Sequence, residues 1–355
     1  ASQAGLWHQM SSCNFATPRV EVLRSRGSPL SARAARSSSS SVRAPAPSSR
    51  SARYSAGARA RRIVAASANG SCSRDLLVVG PGVLGSLVCQ RWLGKFPAAS
   101  VIGQTNTDTS HERLLSLGVF PRLKEKAGDE QYPFVVFSAP PSGSEDYAAE
   151  VEAALKYWDG SGAFVFTSST AVYAGKDGEP CDESTPQFEI GESPRADRLL
   201  KAEAAVLAAG GSVVRLAGLY HSQRGAHMYF LKTPSLASNA DGLVNLIHYE
   251  DAAAACVDVL VAQFEGKTGG GEVFLATDGV PVTRKEMVEC CLESDAYDGN
   301  MPEFTEENGP LGKSMNNPQT REKLGWVPVH ASFVEFVEAG ATDSFYPKRR
   351  KSTWK

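Results

Sequence analysis

Three glycines follow a short apolar run at a spacing that suits phosphate binding. The sequence Gly80-Pro81-Gly82-Val83-Leu84-Gly85 comes directly after the apolar residues 76–79 and opens an amphipathic helical pattern. A strand, a tight turn and a helix start in this order present free backbone N–H groups to a dinucleotide pyrophosphate. Gly80 would permit the turn, Gly82 would let the phosphates approach the backbone, and Gly85 would let the helix pack against the strand. The candidate cofactor-binding residues are therefore Gly80, Gly82, Val83, Leu84 and Gly85, and the alternative is a glycine turn in some other α/β protein.

The elements that would carry this loop alternate along the chain. Apolar runs and helical patterns follow one another, which predicts βαβ units and a Rossmann-like, doubly wound parallel sheet of the α/β class. After residue 216 the alternation fails, and the polar segment 220–242 would overhang the carboxyl edge of the sheet, where ligands bind. A smaller C-terminal substrate lobe is expected mainly from residues 217–340. The predicted strands are 76–79, 100–103, a brief one near 119, 134–139, 163–167, 212–216 and 272–276.

The composition of the first seventy residues is that of a targeting segment. They hold eleven Arg, no Lys and one acidic residue, amid Ser and Ala runs. This pattern predicts a disordered transit peptide over 1–70, of the chloroplast type, with a mitochondrial presequence as the alternative. Residues 71–345 would form the folded domain and residues 346–355 a basic tail.

Charge and hydropathy exclude several classes of function. Beyond residue 70 the chain has 26 basic and 38 acidic residues, a net charge of −12 with neutral His. This balance argues against a nucleic-acid binder. No apolar run reaches the ~20 residues of a transmembrane helix. Seven cysteines form no CxxC pair and no His stands at zinc-ligand spacing, so the sequence indicates no metal site.

The end of the fifth predicted strand carries a family resemblance. Residues 166–173, Phe-Thr-Ser-Ser-Thr-Ala-Val-Tyr, resemble the SSxxVYG segment of extended short-chain dehydrogenases/reductases of the epimerase/dehydratase branch, although Ala174 delays the glycine to Gly175. The likeness covers nearly all of 75–340. Its further motifs are residues 182–186, 214–220, 245–251 and 323–326.

The resemblance implies catalytic roles, with one departure. In that family a Ser or Thr orients the substrate oxygen, a Tyr moves the proton, and a Lys four residues after the Tyr binds the nicotinamide ribose. Ser169 and Lys201 match the first and last, but Asp197 stands in the Tyr position, and no Tyr in the chain is followed by Lys at the fourth residue. A carboxyl of pKa near ~4 is ionised at neutral pH, and an i,i+4 ion pair with Lys201 would hold it so. The chain thus resembles the atypical branch that lacks this pair.

Other residues are candidates for the missing chemistry and for substrate binding. Tyr173, four residues after Ser169, is the substitute proton donor, with packing under the loop as the alternative. Arg224 matches an Arg that in relatives reaches a substrate phosphate or carboxylate, and Tyr229 is the second substrate-binding candidate. The remaining expectations are that His227 and Lys232 are solvated, that Asp251 caps or anchors a helix and that His248 makes a structural contact.

The choice of cofactor depends on the residues after the second strand. NAD enzymes usually place an acid there, about twenty residues beyond the glycines, to bind both ribose hydroxyls. Here Thr105 and Asn106 are neutral, and together with Arg113 they could bind a 2′-phosphate. NADP is therefore expected, with NAD as the alternative. By the resemblance, Ala139 and Pro140 would cover the adenine ribose and Lys201 the nicotinamide ribose.

These features predict an NADP-dependent oxidoreductase that transfers hydride to a small organic substrate in the chloroplast stroma. The alternative is a catalytically inactive NADP(H)-binding protein with a regulatory or assembly role. A sugar-nucleotide epimerase or dehydratase is a third hypothesis, which is weaker because those reactions depend on the Tyr that is missing here. The resemblance suggests a homodimer, because related folds pair through helices beside the sheet.

Overall fold

A seven-stranded parallel sheet forms the centre of the protein. The computed structural model describes residues 73–345, so the predicted transit peptide and basic tail lie outside the described residues. The strands of the sheet, here numbered β1 to β7, are β1 (Leu76–Val79), β2 (Val101–Thr105), β3 (Phe120–Leu123), β4 (Tyr132–Phe137), β5 (Trp158–Ser169), β6 (Ser212–Leu216) and β7 (Val273–Ala276).

The strand order identifies the ligand-binding edge. The order is β3-β2-β1-β4-β5-β6-β7, with every neighbouring pair parallel. The chain runs outward from β1 to β3 and then returns to β4, so β1 and β4 are neighbours whose following segments leave in opposite directions. Such a reversal opens a crevice at the carboxyl ends of the strands. The predicted doubly wound α/β fold is confirmed.

Helices cover both faces of the sheet. The α1 and α6 helices pack on one face and α3 and α4 on the other, each pair in mutual contact. The helices are α1 (Val83–Lys95), α2 (His111–Ser116), α3 (Tyr147–Leu155), α4 (Pro194–Ala208), α5 (Ala226–Phe230), α6 (Tyr249–Phe264), α7 (Arg284–Glu293), α8 (Pro318–Leu324) and α9 (Phe333–Glu338).

The alternation of side chains along β1 produces two hydrophobic cores. Leu76 and Val78 belong to the core beneath α1 and α6, whereas Leu77 belongs to the core beneath α3 and α4. Both faces of the strand are therefore buried, which explains why it reads as a continuous apolar run.

Short two-stranded pairs form the smaller lobe. The pairs are 218–220 with 246–248, 235–236 with 303–304, 243–244 with 282–283 and 180–181 with 314–315. The segment 220–242, expected to be irregular throughout, contains the five-residue helix α5 and one of these strands. Elements this short carry no readable periodicity, so the sequence pattern missed them.

Within the described part of the chain, no helix combines the length and hydropathy needed to cross a membrane.

A buried carboxyl follows β7. Asp278 is 3% exposed, and its Oδ1 accepts a hydrogen bond from the backbone N–H of Val280 at 2.9 Å. Its Oδ2 has no hydrogen-bond partner among the described residues. Burial raises the pKa of Asp278 to about 7, and the nearby Asp251 carboxylate acts in the same direction, while Arg321 opposes it.

Substitution of this carboxyl should change the pH dependence of stability. Because the folded pKa lies above the ordinary value, Asp278 favours folding below about pH 4 and loses that contribution as the pH rises through about 7. Asp278→Asn, which keeps the acceptor for Val280, should exceed the wild type in free energy of unfolding at pH 8 by about 2 to 4 kcal/mol. Urea unfolding at pH 5 and pH 8 measures this difference. The exposed control Asp129→Asn should track the wild type, and identical pH profiles for all three proteins would contradict the prediction.

Candidate functional site

The glycine loop packs closely on one side and is open on the other. Gly80 has φ +79°, and a Cβ there would lie 2.6 Å from the backbone N and Cα of Ala139. A Cβ at Gly85 would lie 2.6 Å from Ser138 Oγ and 2.9 Å from the Gly80 carbonyl oxygen. A Cβ at Gly82 would meet nothing within 4 Å. The absence of a side chain at Gly80 and Gly85 therefore allows the loop to pack closely against neighbouring residues, whereas Gly82 faces space that a ligand could fill.

The α1 helix begins at this open space without a side-chain cap. Gly82 is its N-cap residue, no side chain bonds to the first turn, and the first turn holds no acidic residue. The N–H groups of the first helical turn have no intrahelical acceptor, and the helix dipole favours an anion there. Val83 and Leu84 thus offer backbone donors beside Gly82.

The segment after β4 forms the opposite wall. Ser138 Oγ donates to the Gly80 carbonyl at 2.8 Å, which ties the two strand ends together. The Tyr147 hydroxyl donates to the Ala139 carbonyl at 2.8 Å. The Arg198 guanidinium donates to the Pro141 carbonyl at 2.8 Å. Ala139 and the exposed Pro140 therefore stand on a braced segment at the crevice.

The end of β2 carries no acidic residue. Thr105 Oγ1 is hydrogen-bonded to His111 Nε2 at 2.8 Å, and Asn106 is exposed. The Arg113 guanidinium donates to Ser86 Oγ at 2.9 Å and to the Pro81 carbonyl at 3.4 Å, so it lies against the glycine loop. A cation thus stands between the β1 and β2 ends.

Ser169 ends β5, at the same edge of the sheet as the glycine loop. It is half-buried, and its Oγ accepts from the backbone N–H of Ala171 at 3.2 Å. Lys201 is exposed on α4. The expected ion pair between Asp197 and Lys201 does not form; Asp197 Oδ1 instead accepts from the Gly191 backbone N–H at 3.0 Å. An exposed pair gains too little in water to compete with a local turn contact.

Tyr173 is fully buried beneath the smaller lobe. Its side chain is 0% exposed and packs with Cys181, Leu275 and Met315. The Arg215 guanidinium lies 4.7 Å from its ring centroid, and burial raises the pKa of the phenol. This placement matches the packing alternative for Tyr173, and its role as a proton donor remains a prediction.

A buried ion pair lies next to this phenol. Arg215 donates to Glu203 through Nη2 at 2.7 Å, and Ser168 Oγ donates to the same carboxylate. Arg215 also donates to Gln187 Oε1 at 2.6 Å. No sequence motif predicted this pairing of Arg215 with Glu203, although an Arg inside the apolar strand β6 indicates a buried partner.

The two substrate-binding candidates lie in the smaller lobe. Arg224 is exposed, in a turn where the backbone N–H of His221 donates to the Arg224 carbonyl at 2.9 Å. Tyr229 is half-buried on α5.

The expectation that His227 is solvated is wrong. Its side chain is 0% exposed between Tyr297 and Phe333, and burial lowers its pKa to about 3.

Comparison with solved structures identifies the fold. A conserved protein of unknown function from Silicibacter pomeroyi aligns with TM-score 0.58 and 22% identity over 75% of this chain and 99% of its own. A Methylobacillus flagellatus protein named for NAD-dependent epimerase/dehydratase aligns with TM-score 0.58 and 20% identity over 76% and 98%. UDP-glucuronic acid 4-epimerase from Bacillus cereus, in complex with NAD, aligns with TM-score 0.57 and 17% identity over 75% and 96%.

The chain has the Rossmann-like epimerase/dehydratase fold. No protein-family model matches the sequence, and no curated protein matches it either.

The two glycines at the loop should differ in their tolerance of a methyl group. Gly80→Ala should lower the free energy of unfolding by about 2 to 4 kcal/mol, because the Cβ meets backbone atoms at a positive φ. Gly82→Ala should cost less than about 1 kcal/mol, because its Cβ enters open space at a helix N-cap. Chemical denaturation of both variants tests this order, and equal losses would show that the loop packs differently.

Proposed function

We propose that this protein binds NADP(H) in the crevice between β1 and β4 and acts as an oxidoreductase-like enzyme on a small organic substrate. The single observation that carries the proposal is the open space at Gly82, beside the uncapped start of α1. A backbone that a Cβ would not disturb, next to unpaired helical N–H groups, suits a pyrophosphate.

The residues around the crevice could bind the pyrophosphate and both riboses of a dinucleotide. Gly80, Gly82, Val83, Leu84 and Gly85 would hold the pyrophosphate. On the two flanks, Ala139 and Pro140 would cover the adenine ribose and Lys201 would reach the nicotinamide ribose.

Charge at the end of β2 supports NADP over NAD. No acid is present to bind both ribose hydroxyls, and Arg113 lies at hydrogen-bond distance from the glycine loop. A guanidinium can give several hydrogen bonds to a phosphate, and Asn106 could add another. The Thr105 hydroxyl could donate its O–H to the phosphate when His111 Nε2 is the donor of the hydrogen bond between them.

A bound nicotinamide would supply or accept a hydride at the carboxyl end of the sheet. Ser169 is the residue that could orient a substrate oxygen there, because its hydroxyl keeps a donor while its oxygen accepts from Ala171. Arg224, exposed in its turn, could bind an anionic group of the substrate. Since Tyr173 is buried, water is the better source of the proton.

The burial of Tyr173 favours a second candidate function. With Asp197 in the usual Tyr position and the Tyr173 phenol enclosed by Arg215 and apolar side chains, the protein could bind NADP(H) without turning over a substrate. Such a protein would sense the nucleotide or serve in assembly. Steady oxidation of NADPH with any carbonyl substrate would exclude this candidate.

The composition of residues 1–70 supports a chloroplast location, with the mitochondrion as the alternative.

Nucleotide binding should depend on Gly82. In a fluorescence titration, the wild type should bind NADPH, and Gly82→Val should lose this binding, because the new side chain occupies the space proposed for the pyrophosphate. Gly94→Val is the matched control: it lies on the same helix, and its Cβ also meets nothing within 4 Å. Both variants should keep the wild-type circular dichroism spectrum. Failure of the wild type to bind either NADPH or NADH would refute the proposal.

Preference for the phosphorylated cofactor should depend on Arg113. Arg113→Ala should weaken NADPH binding by about 10-fold to 100-fold, the loss expected for a charged hydrogen bond, and leave NADH binding nearly unchanged. The exposed control Arg91→Ala on α1 should alter neither affinity. An equal loss for both nucleotides in Arg113→Ala would mean that Arg113 supports the loop and does not select the 2′-phosphate.

A further inference from the structure

Two histidines and a glutamate converge at the start of α6. His248, Glu250 and His330 each offer a donor atom, and these atoms all lie within 4.8 Å of one another. Glu250 Oε2 is 2.9 Å from His330 Nε2 and 3.9 Å from His248 Nδ1. The two imidazole ring centroids are 3.8 Å apart. No local spacing of metal ligands marks this cluster, because His330 is 80 residues from Glu250.

Backbone contacts fix His330 next to the helix. Asp251 accepts from the backbone N–H of Val329 at 2.7 Å and from that of His330 at 3.0 Å. The carboxylate that was expected to cap or anchor a helix thus anchors the loop that carries His330. His248 caps α6 itself, because its Nδ1 accepts from the Glu250 backbone N–H at 3.3 Å.

A buried carboxylate determines which nitrogen of His248 is available. Asp343 has a side chain that is 0% exposed, and its Oδ1 lies 3.0 Å from His248 Nε2. An ionised carboxylate only accepts, so Nε2 carries the proton and Nδ1 presents its lone pair toward Glu250 and His330. A carboxylate behind a histidine in this way is the usual support of a metal-binding imidazole.

Negative charge accumulates around the cluster. Glu250, Asp251 and Asp343 lie within it, and in the described part of the chain their ion pairs involve only histidines, with no Lys or Arg. Neutral imidazoles would leave this charge uncompensated, and a divalent cation would offset most of it.

We propose that this protein binds one Zn²⁺ ion through His248 Nδ1, Glu250 Oε2 and His330 Nε2. Two imidazoles and one carboxylate are a donor set that zinc prefers. The side chains of Glu250 and His330 are 21% and 17% exposed, so a fourth position is open to water. The ion would join the start of α6 to the loop before α9.

Binding would require the three donor atoms, which lie within 4.8 Å of one another, to close around the ion. Tetrahedral ligands about 2.0 to 2.1 Å from zinc lie about 3.3 Å from each other, and the Glu250 distances of 2.9 and 3.9 Å lie on either side of that value. The ion would replace two hydrogen bonds, the one from the Glu250 N–H to His248 Nδ1 at 3.3 Å and the one between His330 Nε2 and Glu250 Oε2 at 2.9 Å. His330 Nε2 would give up its proton to solvent and Nδ1 would carry the ring proton. Ser344 Oγ occupies the other carboxylate oxygen, Oε1, which leaves Oε2 for the metal.

Metal titration of the untagged full chain tests the proposal. Protein stripped with a chelator should bind one equivalent of Zn²⁺ by isothermal calorimetry, and Co²⁺ should give the visible absorption of a tetrahedral site. His330→Gln and Glu250→Gln should abolish both signals. Asp343→Asn should weaken binding by about 10-fold to 100-fold, the effect of losing the carboxylate behind His248.

Two control variants and one stability measurement distinguish this site from other possible zinc ligands in the chain. His111→Gln removes a histidine outside the cluster, and Cys290→Ser tests the adjacent thiols of Cys290 and Cys291; both should bind zinc as the wild type does. Zn²⁺ should raise the melting temperature of the wild type and not that of His330→Gln. Absence of stoichiometric binding in the folded wild type, or binding that survives His330→Gln and is lost in Cys290→Ser, would overturn the proposal. A hydrogen-bonded cluster without metal would be the conclusion in the first of these cases.

Discussion

The close approach of the Gly80 backbone to Ala139 is the contact on which the crevice proposed for the nucleotide depends. It occurs where the strand order reverses, between β1 and β4, so it joins the two segments that leave the sheet in opposite directions. Ser138 reinforces the contact from the other side, through its bond to the Gly80 carbonyl and its closeness to Gly85. With both edges of the loop fixed in this way, Gly82 is the one of the three loop glycines whose added Cβ would meet nothing within 4 Å. The surface proposed to bind the pyrophosphate is thus the open backbone at Gly82, between two glycines that are packed against the protein.

A second interaction organises the opposite half of the site and limits its chemistry. The Glu203–Arg215 pair is nearly inaccessible, with side chains 2% and 6% exposed. Removal of one partner from such a pair leaves an uncompensated charge and typically costs about 3 to 5 kcal/mol, so the pair constrains everything packed on it. Tyr173 lies against the Arg215 guanidinium and is closed off by Met315 and Leu275. A phenol enclosed in this way contributes to packing, so under the proposed function the proton transferred beside Ser169 would come from solvent.

The parts of the fold that could be predicted are those encoded locally. The glycine loop, the parallel strands and the long helices follow from spacing within a few residues, and the structure agrees with them. The missed features join distant residues. Glu203 and Arg215 are 12 residues apart, and Ser222 and Asp343 are 121 apart, so no local pattern pairs them. The ion pair expected between Asp197 and Lys201 does not form, although the two residues have the right i,i+4 spacing. Because an ion pair at the surface gains little in water, the Asp197 carboxylate accepts a hydrogen bond from the Gly191 backbone N–H instead.

The contacts of Asp343 connect the end of the described chain to the substrate-binding candidates. Its carboxylate accepts from the backbone N–H of Ser222 at 3.1 Å, while hydrogen bonds from His221, His248 and Ser222 outweigh burial and hold its pKa below the ordinary value. Ser222 lies in the turn that ends at Arg224, so the exposed guanidinium stands on a turn anchored from the C-terminal side. The same carboxylate positions His248. One buried carboxylate thus holds both the His248 imidazole and the turn that carries Arg224 against the C-terminal end of the described chain.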